Sequence, residues 1–408
     1  LGKVCCQGIN IYIGARLRFD FLDTAIHCSE DAERIAKRRL PNIIFGFVEG
    51  GTGREVGMNH NMSAFDQVKL QPRVLNNIDQ HVLGTSFLDQ KFDVPFGIAP
   101  MGMCNLVHPK ADQLMAESAV KHKMPLGLST AASSLLEDVH DWAPENAWFQ
   151  LYVTPPIKHA MALVERAKNC GYKTLILTVD TPQVSRRIRD LQNGFSVDFK
   201  IGPRQFFDFA THPAWSLRIL RAGRPGPANF PTDGAQFDRN ASRALANWAF
   251  LEKLRDLWPG NLIVKGVTSF SDAQRIHKLG ADAIYVSNHG GRQLDSVPAA
   301  IDILPHIRRA VGPDYPLIMD SGVRSGEDIL KALVLGANFV MLGRPVLFAL
   351  GAGGGPGLDS LIRGLTYDLS TGMAQIGLKD IADVGPDNLA ETDMILPHSS
   401  QKKLSLKG

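Results

Sequence analysis

The run Ser287-Asn288-His289-Gly290-Gly291-Arg292-Gln293-Leu294-Asp295 sets an imidazole and a guanidinium three positions apart around two glycines. A histidine can take a proton near neutral pH. A guanidinium can hold a carboxylate through two parallel hydrogen bonds, and paired glycines let a backbone turn tightly while a ligand comes close. A lone histidine is more often a satisfied structural residue; the neighbours make His289 a base candidate, with Asp180 as a carboxylate able to orient the ring. Lys265, in Val-Lys-Gly, is either a lysine snorkelling from a strand end or a positive charge beside an electron-accepting ring. Asp320-Ser321-Gly322-Val323-Arg324 and Gly343-Arg344 combine glycine with arginine, as backbone N–H groups and a cation at a phosphate require.

These residues need a frame that brings distant segments to one rim. From Val94 onward, short apolar, β-branched runs alternate with amphipathic stretches, which predicts parallel strands buried on both faces. The strands are expected at Val94–Ala99, Pro125–Ser129, Trp148–Tyr152, Thr174–Val179, Leu262–Lys265, Ala283–Ser287, Pro316–Asp320 and Phe339–Leu342. Helices are expected at Lys110–Lys123, Ile157–Cys170, Ser269–Leu279 and Ser325–Leu335. Ser269 and Ser325 stand at capping positions and Gly171, Gly280 and Gly336 at helix ends. Eight β/α units predict a TIM (β/α)8 barrel, with Ser129, Gln150, Tyr152, Thr178, Asp180, Lys265, Ser287, His289, Asp320, Arg324, Gly343 and Arg344 at its C-terminal rim, where such barrels build their sites. No Gly-x-Gly-x-x-Gly follows the first strand, which removes the main support for a dinucleotide-binding sheet. Helix Asp31–Arg39 and the segment to about Gln90 are expected to cap one end. The long stretch from Val179 to a helix around Ala241–Asp256 shows little regular pattern and is expected to be a lid or binding loop after strand four.

The chain has 408 residues, 44 basic and 41 acidic, for a net charge of +3. Such a balance supplies no global reason to expect nucleic acid. Five cysteines do not suggest a disulfide framework; Cys104 and Cys170 read as core residues, and Cys5–Cys6 lack metal-site spacing. A reducing, cytoplasmic setting and no metal follow. Gly8–Ala15 is short and runs into Arg16, Arg18 and Asp20, a poor secretory signal. Residues 1–30 are read as an N-terminal extension of uncertain start, 31–380 as the barrel with an insertion at 183–240, and 381–408 as a tail.

Phe-Gly-Ile-Ala-Pro (Phe96–Pro100), Phe-Gln-Leu-Tyr (Phe149–Tyr152), Leu-Thr-Val-Asp-Thr-Pro (Leu177–Pro182), Val-Lys-Gly-Val (Val264–Val267), Ser287–Asp295, Asp320–Arg324 and Leu-Gly-Arg-Pro-Val (Leu342–Val346) resemble, in order and spacing, the FMN-dependent L-2-hydroxy-acid oxidase and dehydrogenase family. The resemblance runs from about Ala32 to Gly377. It implies FMN as cofactor, oxidation of a 2-hydroxy acid to the 2-oxo acid, and reoxidation by a quinone, another acceptor or oxygen. It further implies His289 as base with Asp180 paired to it, Arg187 and Arg292 on the substrate carboxylate, and Tyr152 on the substrate hydroxyl. Lys265 would lie by the flavin N1/C2 edge. Ser129, Gln150, Thr178 and Ser287 would touch the ring or ribityl region, and Asp320, Gly322, Arg324, Gly343 and Arg344 the ribityl chain and phosphate. A homo-oligomer, as a tetramer, is the implied assembly.

Two positions depart from that family's pattern. Phe47 stands where the family usually has a tyrosine whose hydroxyl helps bind the carboxylate, and Ala131 stands where glycolate oxidases have tryptophan. The wider pocket points to lactate or a larger acid. His212–Trp215 and Arg221–Pro225 are similar to the L-lactate and mandelate dehydrogenase type. Arg187, Arg189, Lys200, Arg204, Arg218 and Arg221 alternate in this region with Phe195, Phe199, Phe206, Phe207, Phe209 and Trp215. The mixture suits either docking on the inner face of an anionic bilayer or a lid packed on the barrel.

Overall fold

The computed structural model describes residues 26–195, 201–230 and 242–390, with the backbone of a short antiparallel pair at Tyr12–Ile13 and Ala15–Arg16. Cys5–Cys6, Lys200, Phe199 and the tail beyond residue 390 lie outside the described residues. Eight strands form the frame: β1 (Phe96–Met101), β2 (Leu126–Ser129), β3 (Ala147–Leu151), β4 (Thr174–Thr178), β5 (Asn261–Val267), β6 (Ala283–Val286), β7 (Leu317–Met319) and β8 (Phe339–Leu342). All pair in parallel, and β8 closes on β1 through Val340 opposite Phe96 and Met341 opposite Gly97. The eight expected runs are these strands, their ends shifted by no more than two residues.

Burial on both faces explains the apolar runs. In β4, Ile176 points into the barrel with Trp148, Ile263, Tyr285, Ile318 and Phe339, while Leu175 and Leu177 join the outer core beneath the helices. Those helices are α4 (Ala111–Lys121), α5 (Leu136–Trp142) and α6 (Ile157–Cys170) in the first half. After the insertion come α10 (Trp248–Leu257), α11 (Phe270–Lys278), α12 (Ala300–Val311), α13 (Gly326–Val334) and α14 (Arg344–Gln375). Ser269 and Ser325 cap α11 and α13 through their hydroxyls, as their spacing predicts. Cys104 is buried, whereas Cys170 is only partly covered.

The segment before the barrel covers both ends rather than one. The hairpin Thr85–Phe87/Gln90–Phe92 plugs the N-terminal end, where Phe87 and Phe92 pack against Trp148 and Phe339. At the opposite end lie α2 (Asn42–Glu49) and α3 (Val56–Ser63), while α1 (Ser29–Arg39) runs along α14 and buries Ala32 and Ala36.

The described residues of the insertion are more regular than its composition suggests. It holds α7 (Ile188–Asn193), α8 (Pro203–Ala210) and α9 (Pro213–Ala222), and α10 starts at Trp248, later than expected. Pro203 and Pro213 open their helices at the first turn, a position where proline needs no N–H partner.

Candidate active site

At the C-terminal rim, β6 ends and His289, Gly290 and Gly291 follow with φ of 60°, 64° and 71°, a left-handed run that throws the imidazole over the barrel mouth. A side chain at Gly291 would meet the Met58 backbone at 2.5 Å, so only glycine fits there. The His289 Nδ1 lies 3.1 Å from both carboxylate oxygens of Asp180. A carboxylate only accepts, so Nδ1 carries the proton and Nε2 presents its lone pair. That lone pair faces Tyr152 Oη at 3.4 Å. Asp180 reaches this place because Gly266, at φ 98°, has no Cβ; one there would lie 2.5 Å from Asp180 Cβ.

Beside the histidine sits a buried ion pair. Lys265 Nζ donates to Asp320 Oδ2 at 2.8 Å and to Ser287 Oγ at 2.7 Å, and lies 4.1 Å above the Tyr285 ring. Burial alone would raise the Asp320 carboxyl, but Lys265, Ser287 and Ser321 outweigh it and hold it below the usual range. Ser287 Oγ also accepts from the His289 N–H at 3.0 Å. Ser287 therefore braces Lys265 and His289 from behind.

Two arginines clasp the end of α2. Arg292 donates to the carbonyls of Phe47, Val48 and Gly50, and Arg344 to those of Glu49, Gly50 and Gly290. All but Gly290 are carbonyls that a helix leaves unsatisfied at its negative end, where cations are favoured. Phe47, fixed by this clasp, stacks on Phe195 at 4.4 Å with the Arg292 guanidinium 5.5 Å from its ring.

Phe47, Ser129, Ala131, Tyr152, Arg187, Lys265, His289, Arg292, Asp320, Gly322, Arg324, Gly343 and Arg344 all line one open cavity of about 1220 Å³, its mouth included. Of the remaining expected residues, Asp180 stands behind His289, and Gln150, Thr178 and Ser287 are buried at the C-terminal ends of β3, β4 and β6. Sequence reasoning missed Arg243, which lines the same cavity. It also missed the buried Asn61–Asn288 amide pair, at 2.8 and 2.7 Å, which ties α3 to the β6 loop. Asn288 stands inside the motif and was open to notice; Arg243 follows an irregular stretch that carries no pattern.

A protein-family model for FMN-dependent dehydrogenases matches residues 36–391. This chain belongs to the FMN-dependent dehydrogenase family. (S)-mandelate dehydrogenase of Pseudomonas putida is 37% identical over 368 residues, covering 88% of this chain and 93% of that one. L-lactate dehydrogenase of Pseudomonas putida strain GB-1 is 35% identical over 380 residues, covering 89% and 98%. A crystal structure of "monotopic membrane protein (S)-mandelate dehydrogenase" matches with a TM-score of 0.86 at 36% identity, over 90% of this chain and 100% of that chain. Mandelate oxidase with benzoyl-formic acid matches at 0.76 and 31% identity, over 89% and 97%.

The cavity of this FMN-dependent dehydrogenase fits its cofactor. Gln150 Nε2 and Thr178 Oγ1 are buried with no hydrogen-bond partner among the described residues, although Gln150 Oε1 already accepts from Ser129 at 2.9 Å. Orphaned buried donors carry a desolvation cost that a polar ring edge would relieve. Gly343 stands at the N-cap of α14, and a Cβ on it would meet nothing closer than Met101 Sδ at 3.9 Å; its open side faces the cavity. Loss of water, with Arg324 and Arg187 close by, holds the Arg344 guanidinium down to about 9. A dianion between the α13 and α14 N-termini would remove that penalty.

Proposed function

We propose that this dehydrogenase oxidises an L-2-hydroxy acid of lactate size or larger to the 2-oxo acid. The observation that carries this reading is the Asp180–His289–Tyr152 chain, with Nε2 aimed at the Tyr152 hydroxyl inside a cavity that also holds Lys265, Arg187 and Arg292. FMN, when bound, supplies the acceptor for the electron pair of the substrate C2–H bond. The protein's residues do the rest. Arg187 and Arg292 hold the carboxylate, Tyr152 donates to the hydroxyl oxygen, and His289 Nε2 takes a proton while Asp180 stabilises the imidazolium. Loss of water raises Tyr152 to about 12, Asp180 adding to the rise, so its hydroxyl stays a donor throughout. Lys265, held by Asp320 and Ser287, would stand at the edge of the ring. Arg324, Gly322, Gly343 and Arg344 hold the phosphate end. The mandelate and lactate dehydrogenases named above support this reading.

The test is anaerobic. L-lactate, L-mandelate and longer L-2-hydroxy acids are added to the yellow enzyme, and at least one is expected to bleach the flavin. No bleaching by any of them would leave only a flavin-binding protein of this fold.

We further propose that the electrons leave to an acceptor, a quinone or another, reached at a bilayer surface. Among the described residues no helix is long and apolar enough to cross a membrane. The insertion instead divides its aromatic residues. Phe195, Phe209 and Trp215 pack inward, with Trp215 Nε1 on the Leu106 carbonyl at 2.8 Å. Phe206, Phe207, Leu217 and Leu220 are 62, 68, 52 and 78% exposed beside the exposed Arg204, Arg218 and Arg221. The inward set supports the reading as a lid packed on the barrel, and the exposed set supports the reading as a docking surface. Apolar side chains ringed by arginines suit an anionic interface. Phe206→Ser with Phe207→Ser is expected to lower co-sedimentation with phosphatidylserine-containing vesicles about tenfold or more, with flavin reduction by substrate retained. Unchanged sedimentation would refute the docking.

A further inference from the structure

The first turn of α2 is completed by a residue of the insertion. Pro41 stands at its N-cap with no side-chain acceptor to offer, and the Pro41 carbonyl takes the Ile44 and Phe45 N–H groups, both at 2.9 Å. Asp208, on α8, takes the other two. Its Oδ1 accepts from the Asn42 N–H and Nδ2, each at 3.0 Å, and its Oδ2 from the Ile43 N–H at 3.1 Å. A carboxylate here also meets the positive pole of the helix. At the other end of α2, Arg292 and Arg344 hold the carbonyls, and Phe47 and Val48 line the cavity. A helix of eight residues, about 12 Å long, thus joins α8 to the cavity wall beside Arg292.

The helix that carries Asp208 lies shallow on the protein. No residue of α8 is buried, and its eight residues fall short of the roughly 12–15 at which a helix keeps its form alone. Its ties to the protein include Asp208 on α2, with His212 Nδ1 3.5 Å from the same carboxylate. They also include Phe209 beside Trp215, ring centres 5.3 Å apart, and Arg204 donating to the Gln192 carbonyl at 2.9 Å. Four consecutive residues therefore divide between two surroundings. Phe206 and Phe207 face outward, where the bilayer is proposed to lie, and Asp208 and Phe209 face the protein. Burying Phe206 and Phe207 in a bilayer stabilises the helical form of α8, and with it the placement of Asp208.

We propose that Asp208 is a positioning residue, capping α2 from the docking helix so that bilayer contact at Phe206 and Phe207 tightens the binding of acids beside Phe47. The inference rests on the bilayer docking and the 2-hydroxy-acid oxidation proposed above. Its two-state element is α8, formed or frayed, and both a bilayer and a ligand held against α2 favour the formed state. A wall already set by its cap leaves the ligand less ordering to impose. Such coupling is reciprocal: the factor that the bilayer adds to acid binding, the acid adds to bilayer binding. The chemistry at C2 is unchanged.

The experiment uses the oxidised holoenzyme, quinone-free vesicles containing phosphatidylserine, and the 2-oxo acid of whichever hydroxy acid bleaches the flavin fastest. The dissociation constant of that 2-oxo acid, read from the flavin spectrum, is expected to fall about twofold or more when vesicles are added, the factor that follows where α8 is frayed in half of the molecules in buffer. The same 2-oxo acid should lower the vesicle concentration for half-sedimentation by the same factor. Asp208→Ala is expected to stay yellow and to sediment, while binding the 2-oxo acid equally with and without vesicles and about twofold or more weakly than the wild type on vesicles. A wild type that sediments with an unchanged dissociation constant would overturn this inference and leave the docking standing. An Asp208→Ala variant that keeps the full shift would route the coupling elsewhere, and one that no longer sediments would make Asp208 part of the docking surface; either overturns it. A wild type that does not sediment overturns the docking as well, and bleaching by no acid overturns the oxidation with it.

Discussion

Replacing His289 with glutamine is expected to leave a yellow protein whose flavin is reduced by substrate about 10⁴-fold more slowly, or slower still. The side chain's contacts are the reason. Its imidazole meets Asp180 on one nitrogen and Tyr152 on the other. The left-handed turn that carries it is held separately, through Ser287 Oγ on its N–H and Asn288 Oδ1 on that of Gly291. Glutamine can preserve the turn but offers no nitrogen that takes a proton at neutral pH. Asp180→Asn should also slow reduction severely, because an amide can donate to Nδ1 and so move the proton to Nε2, where the base must be free. Stopped-flow reduction under argon reads both. A fall of less than tenfold for His289→Gln would remove the imidazole from the chemistry, and a colourless variant would make it a support of the flavin site.

The second large effect is expected at Lys265. Lys265→Met should slow flavin reduction by about 10²–10³-fold and destabilise the fold by about 3–5 kcal/mol, since Asp320 is then buried without its cation. The first effect arises because the ammonium offsets the negative charge that reduction brings to the ring; the second is independent of any ligand. Asp320 is held below the ordinary carboxylate range by Lys265, so in the wild type this pair stabilises the protein above the unfolded-state pKa of the carboxyl. The contribution is lost as pH falls through the folded-state value. In Lys265→Met burial wins and the carboxyl titrates above its unfolded value. The variant's deficit should therefore shrink as the pH is lowered through the carboxylate range, because the protonated acid tolerates burial. Urea unfolding at pH 7 and pH 5 measures this. Adding Asp320→Asn should recover most of the stability and little of the rate. Recovery of both together would mean that Lys265 acts on the fold alone.

Family membership, the eight strands and the gathering of His289, Arg292 and Lys265 at one rim were legible in the sequence because each depends on local pattern. A strand buried on both faces must be apolar through its middle, as Leu175–Leu177 are in β4. A helix start must satisfy its own N–H groups, as Ser269 and Ser325 do. The tight turn after β6 needs glycine where a Cβ would strike Met58. Such requirements are met within a few residues, so they leave a readable mark.

The rest was decided by the tertiary structure, because it depends on which distant groups meet. Nothing near Arg292 or Arg344 announces that they spend donors on the carbonyls closing α2, 240 or more residues earlier in the chain. Nothing near Ser287 shows that it braces Lys265 rather than lining the cavity. The insertion reads as irregular because α8 and α9 are short and begin at prolines, which also mark loops; Trp215 becomes an inward anchor only once the Leu106 carbonyl lies beneath it. Arg243 is the sharpest case. Its type says only that it is charged, and it lines the cavity because the returning chain is pinned to Pro182 and lays the guanidinium on Tyr152. Sequence by itself thus determined the barrel, the cofactor and the chemistry at C2. Which further groups line the cavity was settled by long-range packing, which no local pattern records.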